Sequence, residues 1–129
     1  MDIQSVNHIA IIASDIQKSM HFYMDVLGFE LIRKVYREQR DSYKVDLALN
    51  GNYLIELFTF PDSPARLSFP EALGLRHLAF SVKDINASIA ELNAKGIETE
   101  DIRIDPFTNC RCVFFADPDG LPIELVETK

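Results

Sequence analysis

Two histidines and two glutamates stand out by type and spacing. His8 opens the apolar run His-Ile-Ala-Ile-Ile-Ala, and Glu56 follows 48 residues later among Leu54, Ile55, Leu57 and Phe58. His77 opens His-Leu-Ala-Phe-Ser-Val, and Glu124 follows 47 residues later among Pro122, Ile123, Leu125 and Val126. On strands, alternation puts Leu54, Glu56 and Phe58 on one side, and likewise Pro122, Glu124 and Val126. An ionised carboxylate on such an apolar face needs a partner, because burying it alone costs several kcal/mol. Taken singly, each histidine reads as an ordinary strand residue and each glutamate as the partner of a nearby arginine. Occurring as a matched pair twice, they offer two imidazoles and two carboxylates to one divalent ion. Nickel, zinc and cobalt suit that donor set, and manganese and iron are also admitted. Water in the remaining positions would leave such a site open to a substrate.

The pairs belong to a longer repeat. At a shift of 69 positions His8 falls on His77, Ala10 on Ala79, Asp15 on Asp84, Ile16 on Ile85 and Ser19 on Ser88. Gly51 and Gly120 keep that shift, while Gly28 with Gly96 and Glu56 with Glu124 stand at 68. A single duplication of this length suggests two like modules rather than a solenoid, whose repeats are shorter. The expected division is module one over 1–60, a linker over 61–73 and module two over 74–129, within one domain of 129 residues. Either half alone would bury too little surface to be secure, so the halves should share a core, within one chain or between two.

The elements follow in order. Val6–Ala13 is nearly continuous apolar sequence and predicts a strand buried on both sides. Ser14 or Asp15 can cap a helix carrying Ile16, Met20, Tyr23 and Leu27, which Gly28 ends. Strands are expected over Phe29–Arg37, Tyr43–Leu49 and Tyr53–Phe60, with Asn50-Gly51 as a hairpin turn. Three prolines between 61 and 70 mark the connection. Module two repeats β-α-β-β-β: a strand over Arg76–Val82, a helix capped by Asp84 and stopped by Gly96, then strands over Ile97–Ile104, Cys110–Ala116 and Leu121–Val126. The turn Asp117-Pro118-Asp119-Gly120 joins the last two. The fold class is α+β, with two duplicated modules whose curved mixed sheet surrounds a metal cleft.

Composition excludes several partners. A net charge of −7 argues against nucleic acid and anionic membrane, which need basic surfaces. No run approaches the roughly 18 apolar residues of a spanning helix, and no signal peptide pattern opens the chain, so a cytoplasmic protein is expected. Cys110 and Cys112 lie two apart on one strand face and lack nearby further ligands, so they read as reduced strand residues rather than a metal site.

Asn7-His8-Ile9-Ala10-Ile11, Phe22-Tyr23 with Leu27-Gly28-Phe29, Ile55-Glu56-Leu57, Arg76-His77-Leu78-Ala79-Phe80, and Asp117-Pro118-Asp119-Gly120 through Ile123-Glu124-Leu125 carry a resemblance. Together they resemble the vicinal oxygen chelate superfamily, specifically its small bacterial glyoxalase I-like members. Extradiol dioxygenases of that superfamily lack the ligand corresponding to Glu56, and bleomycin-resistance-like binders generally lack the metal set. Having His8, Glu56, His77 and Glu124 together is similar to glyoxalase I, which isomerises the hemithioacetal of a 2-oxoaldehyde and a thiol. The resemblance implies an enzyme whose metal stabilises an enediolate. It implies Glu124 as the base that moves the proton, with Glu56 acting on the opposite side. It also implies a small-molecule substrate and a homodimer, and Phe58, Phe60 and Phe69 are candidates to bury its interface. Other readings on the same frame are an epimerase, a dioxygenase, or a protein that sequesters a small molecule.

One departure bears on substrate. Glyoxalase I enzymes carry an arginine four residues after the first histidine, where it meets a glutathione carboxylate. Here that position is Ile12, between Ile11 and Ala13. The stretch Arg103–Arg111 also differs from the glycine-rich one found there. Arg37, Arg40 and Arg111 are other candidate contacts, although each reads more simply as a solvated surface charge.

Overall fold

The computed structural model describes residues 1–129. The chain divides into two compact units, Met1–Ala65 and Arg66–Lys129. In the first, β1 (Ile9–Ile12) leads into a helix whose opening turns, α1 (Ile16–Met20), continue as a π-helical stretch over His21–Val26. Three strands follow: β2 (Glu30–Arg37), β3 (Ser42–Leu49) and β4 (Asn52–Phe58). The second unit repeats this with β5 (Leu78–Val82), α2 (Ile85–Ala94), β6 (Arg103–Ile104), β7 (Arg111–Ala116) and β8 (Pro122–Glu127). Each unit forms a four-stranded mixed sheet, ordered β1-β4-β3-β2 and β5-β8-β7-β6. In each, the first strand lies parallel to the last and the remaining pairs are antiparallel. The duplicated β-α-β-β-β order expected from the repeat is the architecture observed.

Local chemistry explains the boundaries. The Asp15 carboxylate accepts the backbone N–H groups of Gln17 and Lys18, and Asp84 accepts that of Ala87, satisfying donors the first helical turn leaves free. Asn50 and Gly51 both take positive φ, 51° and 80°, as a tight two-residue hairpin turn requires.

The helical connection separates the two sheet faces. In the first unit Val45, Leu47, Ile55 and Leu57 are wholly buried, as is Tyr23 on the helix, and its neighbour Phe22 is nearly so. In the second, Val113 and Ile123 are wholly buried with Ile85 at the head of α2. The opposite face of each sheet is the one on which the histidines and glutamates lie. This one-sided cover corrects the expectation for β1. Only Ile11 is buried within that strand, and Ile12 is 55% exposed, because β1 packs on one face only. The strand expected over Ile97–Ile104 shortens to Arg103–Ile104, the acidic run before it pairing only through Glu100 N–H to the Phe114 carbonyl.

Three irregularities lie in the first unit, and two of them match slips in the repeat, while Gly28 to Gly51 is one residue shorter than Gly96 to Gly120. Ile16 to Gly28 spans one residue more than Ile85 to Gly96. The π-helical stretch absorbs that residue, with Leu27 N–H donating to the Phe22 carbonyl five positions back. Gly51 to Glu56 is likewise one residue longer than Gly120 to Glu124. There Leu54 is the extra residue of a β-bulge, since Leu47 pairs with Ile55 but Ala48 with Tyr53. A second bulge at Ile32 pairs Leu31 with Leu47 but Arg33 with Asp46. A bulge reverses which face the following residues occupy.

Glu127 ties β8 to α2. Its carboxylate accepts the Ile85 N–H at 2.8 Å and a forked pair from Arg111 at 2.8 to 3.1 Å. The Ile85 N–H, then Arg111, hold the carboxyl below its ordinary value near 4.5. A carboxyl lowered on folding contributes stability above its unfolded value and loses it as pH falls through the folded one. Glu127→Gln should therefore lower the melting temperature at pH 7, with the deficit shrinking below about pH 4.5. Melting curves of both proteins from pH 7 to pH 3 check this, and a constant deficit would refute it.

Candidate functional site

Register brings each histidine to its glutamate. Ala10 is level with Glu56, and Ala79 with Glu124, across the parallel pairs β1–β4 and β5–β8. Each histidine lies two residues before that alanine and so shares its face. His77 Nε2 stands 3.0 Å from Glu124 Oε2, and His8 Nε2 stands 3.8 Å from Glu56 Oε1. No three His, Cys, Asp or Glu side chains gather to hold a metal within the chain. Each unit thus brings together one histidine and one glutamate of the four expected ligands.

The two halves have different surroundings. Glu56 is buried to 9% exposure within a charged network. The Tyr53 hydroxyl lies 2.9 Å from Glu56 Oε2 and 3.0 Å from Asp46 Oδ1, so two carboxylates compete for its single proton. Lys44 Nζ donates to both Asp46 oxygens at 2.9 and 3.0 Å and stands 3.5 Å from Glu56 Oε2. Arg33 Nε completes the set, 2.9 Å from Asp46 Oδ2. Burial opposes the Asp46 charge, but bonds from Lys44 and Tyr53, with Arg33 beside them, hold its carboxyl below the ordinary value. Burial and the adjoining Glu56 and Asp46 push the Tyr53 phenol far above its own. The His8 ring stacks on Tyr53, centroids 5.1 Å apart, and its Nδ1 lies 2.6 Å from Asn7 Oδ1. With Asn7 taking the Nδ1 proton, Nε2 is left with a lone pair facing Glu56.

Glu124 has no such network. The residue opposite it on β7 is Phe114, whose ring meets His77 edge-on at 5.2 Å, where Glu56 faces Asp46. Cys112 takes the place that Lys44 has in the first unit. Burial, then its bond to Glu124, pushes the Cys112 thiol up. Both cysteines are free, Cys112 within β7 and Cys110 just before it.

Arg33, Lys44, Asp46 and Tyr53 were not among the residues expected at the site. Asp46 had the same signal as Glu56, a carboxylate between Val45 and Leu47 in an apolar strand. Tyr53 had none, because plain alternation puts Leu54 beside Glu56, and the bulge at Leu54 brings Tyr53 there instead. Arg37, Arg40 and Arg111, read as solvated charges, have partners. Arg37 and Arg40 lie over the stacked Phe58 and Phe60 rings, and Arg111 holds Glu127.

The profile of the Glyoxalase/Bleomycin resistance protein/Dioxygenase superfamily matches residues 5–125, and the chain belongs to that superfamily. It is 58% identical over 127 residues to YwkD of Bacillus subtilis, covering 98% of this chain and 99% of that one. A glyoxalase family protein from Enterococcus faecalis, 50% identical, superposes with a TM-score of 0.91 over 98% of this chain and all of its own. A probable lactoylglutathione lyase from Vibrio cholerae is 32% identical over 136 residues, covering all of this chain and 94% of its own. No helix is long and apolar enough to cross a membrane.

Proposed function

We propose that the protein is a metal-dependent lyase or isomerase of the glyoxalase I type, acting on a small oxygen-bearing substrate or a thiol hemithioacetal. The observation that carries this is the repeated register, which sets one imidazole nitrogen against one carboxylate oxygen in each unit. The donors fit a divalent ion of the nickel, zinc or cobalt kind, because each pair now shares what such an ion would take over. His8, Glu56, His77 and Glu124 would hold it, from one chain or from two. Bound there, the ion would polarise a substrate carbonyl and favour loss of the neighbouring proton.

The two glutamates then take different roles. Tyr53 and Lys44 fix Glu56 in place, so it serves to position. Glu124 has His77 and a thiol beside it and is freer to move, so it removes the proton from one carbon and returns it to the next. The functional unit is a homodimer in the cytoplasm, which would cover apolar side chains such as Phe69, 72% exposed, and Leu73. Light scattering that finds only monomers at high concentration would remove the dimer.

Carbon–proton exchange tests the chemistry directly. Metal-loaded protein is incubated in D₂O with methylglyoxal adducts of glutathione, cysteine and coenzyme A, and followed by NMR. Deuterium entering the product carbon of at least one adduct, and none with Glu124→Gln, is the expected result. Binding of an adduct without exchange in the parent protein would point to sequestration instead.

A further inference from the structure

We infer that Arg33 is a specificity-determining residue that selects substrates bearing an anionic oxygen group, a carboxylate or a phosphate. The inference rests on the metal-site reading above and adds the class of substrate to it.

Three observations carry it. The bulge at Ile32 reverses the alternation of β2, so Arg33 pairs with Asp46 and lies on the face of Glu56. Without the extra residue, Arg33 would share the face of Leu31 and Leu47. Bulges commonly re-aim a side chain beside a functional site. Second, Arg33 is anchored but not used up. Its Nε meets Asp46 Oδ2 at 2.9 Å, and its side chain is 63% exposed. Asp46, with a side chain only 3% exposed, fixes the guanidinium stem and leaves the outer donors for a planar or tetrahedral oxyanion. The arginines at or near the sheets lack this arrangement: Arg37 and Arg40 cover phenyl rings, Arg103 covers Phe114 with Nη2 on Glu100, and Arg111 spends Nε and Nη2 on Glu127.

Charge supplies the third. Without an ion, Arg33 and Lys44 balance Asp46 and Glu56. Two imidazoles and two carboxylates around a divalent ion would be neutral as a set, which withdraws Glu56 from that balance. Arg33 and Lys44 then share one buried carboxylate, leaving a net positive charge on this face. The second unit has an edge-strand arginine, Arg103, but Phe114 and Cys112 stand where Asp46 and Lys44 do, so Arg103 lies over the Phe114 ring with Nη2 on Glu100 rather than anchored by a buried carboxylate. Ile12 leaves β1 without the cation that glyoxalase I enzymes carry there, and Arg33 places one elsewhere, on β2.

Lactate, malate and 3-phosphoglycerate test this, because each offers the same vicinal hydroxyl and carboxylate and they differ only in a terminal methyl, carboxylate or phosphate. Metal content of cobalt-loaded parent, Arg33→Gln and Arg33→Lys is measured first, then affinity for each probe by calorimetry at fixed salt. The parent should prefer malate or 3-phosphoglycerate to lactate, and the one it prefers identifies the anion. Arg33→Gln should weaken that probe by about tenfold to a hundredfold, the usual worth of a charge-assisted bond, and leave lactate unchanged. Arg33→Lys, which keeps a cation on Asp46 and so guards against a folding defect, should fall between. No preference for an anionic probe in the parent, or equal losses for all three in Arg33→Gln, would overturn the inference while leaving the metal site standing. Absence of bound cobalt in the parent would overturn the metal reading and this inference with it.

Discussion

Adding nickel, zinc or cobalt to tag-free protein is expected to raise its melting temperature by roughly 8–14 °C at a hundredfold excess over Kd, and His77→Ala should remove nearly all of that rise. An ion that binds only the folded chain stabilises it by about 2.7 kcal/mol at that excess. Removing one of four ligands should cost affinity at least as much as disturbing the groups behind a ligand, which is about tenfold to a hundredfold. A hundredfold loss leaves the ion near its Kd, where the stabilisation is only about 0.4 kcal/mol. His8→Ala should behave the same way, because the two pairs stand in equivalent registers. His21→Ala supplies the control. His21 is exposed, lies 2.8 Å from Asp25 and is far in sequence from either glutamate. Its loss should leave the metal response intact. Equal rises in the parent and His77→Ala, or no rise in the parent, would remove the four-ligand reading.

How much of this could be read beforehand depends on which physical rule governed each residue. The matched apolar runs after His8 and His77 led to two β-α-β-β-β modules because short-range patterning and helix caps settle such elements locally. Asp15 and Asp84 act as the caps their positions suggested. The surroundings of Glu56 were less legible, because two bulges break the period of two on which strand reading depends. Leu54 loses its place in the row to Tyr53, and Arg33 crosses to the face of Asp46. Nothing in a single strand announces a bulge, since the pairing that defines it involves a neighbour distant in sequence. The π-helical stretch is a similar case. The extra residue between Ile16 and Gly28 was visible as a slip in the repeat, but its location within the helix was not. For β1, composition misled, because continuous apolar sequence also occurs where one face is left for a site.

Replacing Ile12 by arginine is expected to raise kcat/KM on the methylglyoxal–glutathione hemithioacetal by about tenfold to two-hundredfold, starting from weak or absent activity in the parent. Ile12 is on the open face of β1, level with Phe58 and two pairs along from Ala10 and Glu56. Its 55% exposure means that a longer side chain enters no packed core and costs little in stability. Glutathione carries carboxylates, and a charge-assisted pair with one is worth about 1.5–3 kcal/mol. At 1.4 kcal/mol per tenfold change in rate, that range gives the expected gain. Arg33 does not make up the loss, because it is anchored to Asp46 on β2 at the far edge of the sheet from β1. A substrate matched to Arg33 would therefore carry its anionic group in a different place from glutathione. The assay compares parent, Ile12→Arg and Ile12→Gln at equal metal occupancy. Glutamine should give little of the gain, since it adds length without charge. A parent kcat/KM at or above about 10⁵ M⁻¹s⁻¹, ordinary for an enzyme on its own substrate, would show that Ile12 does not limit thiol recognition.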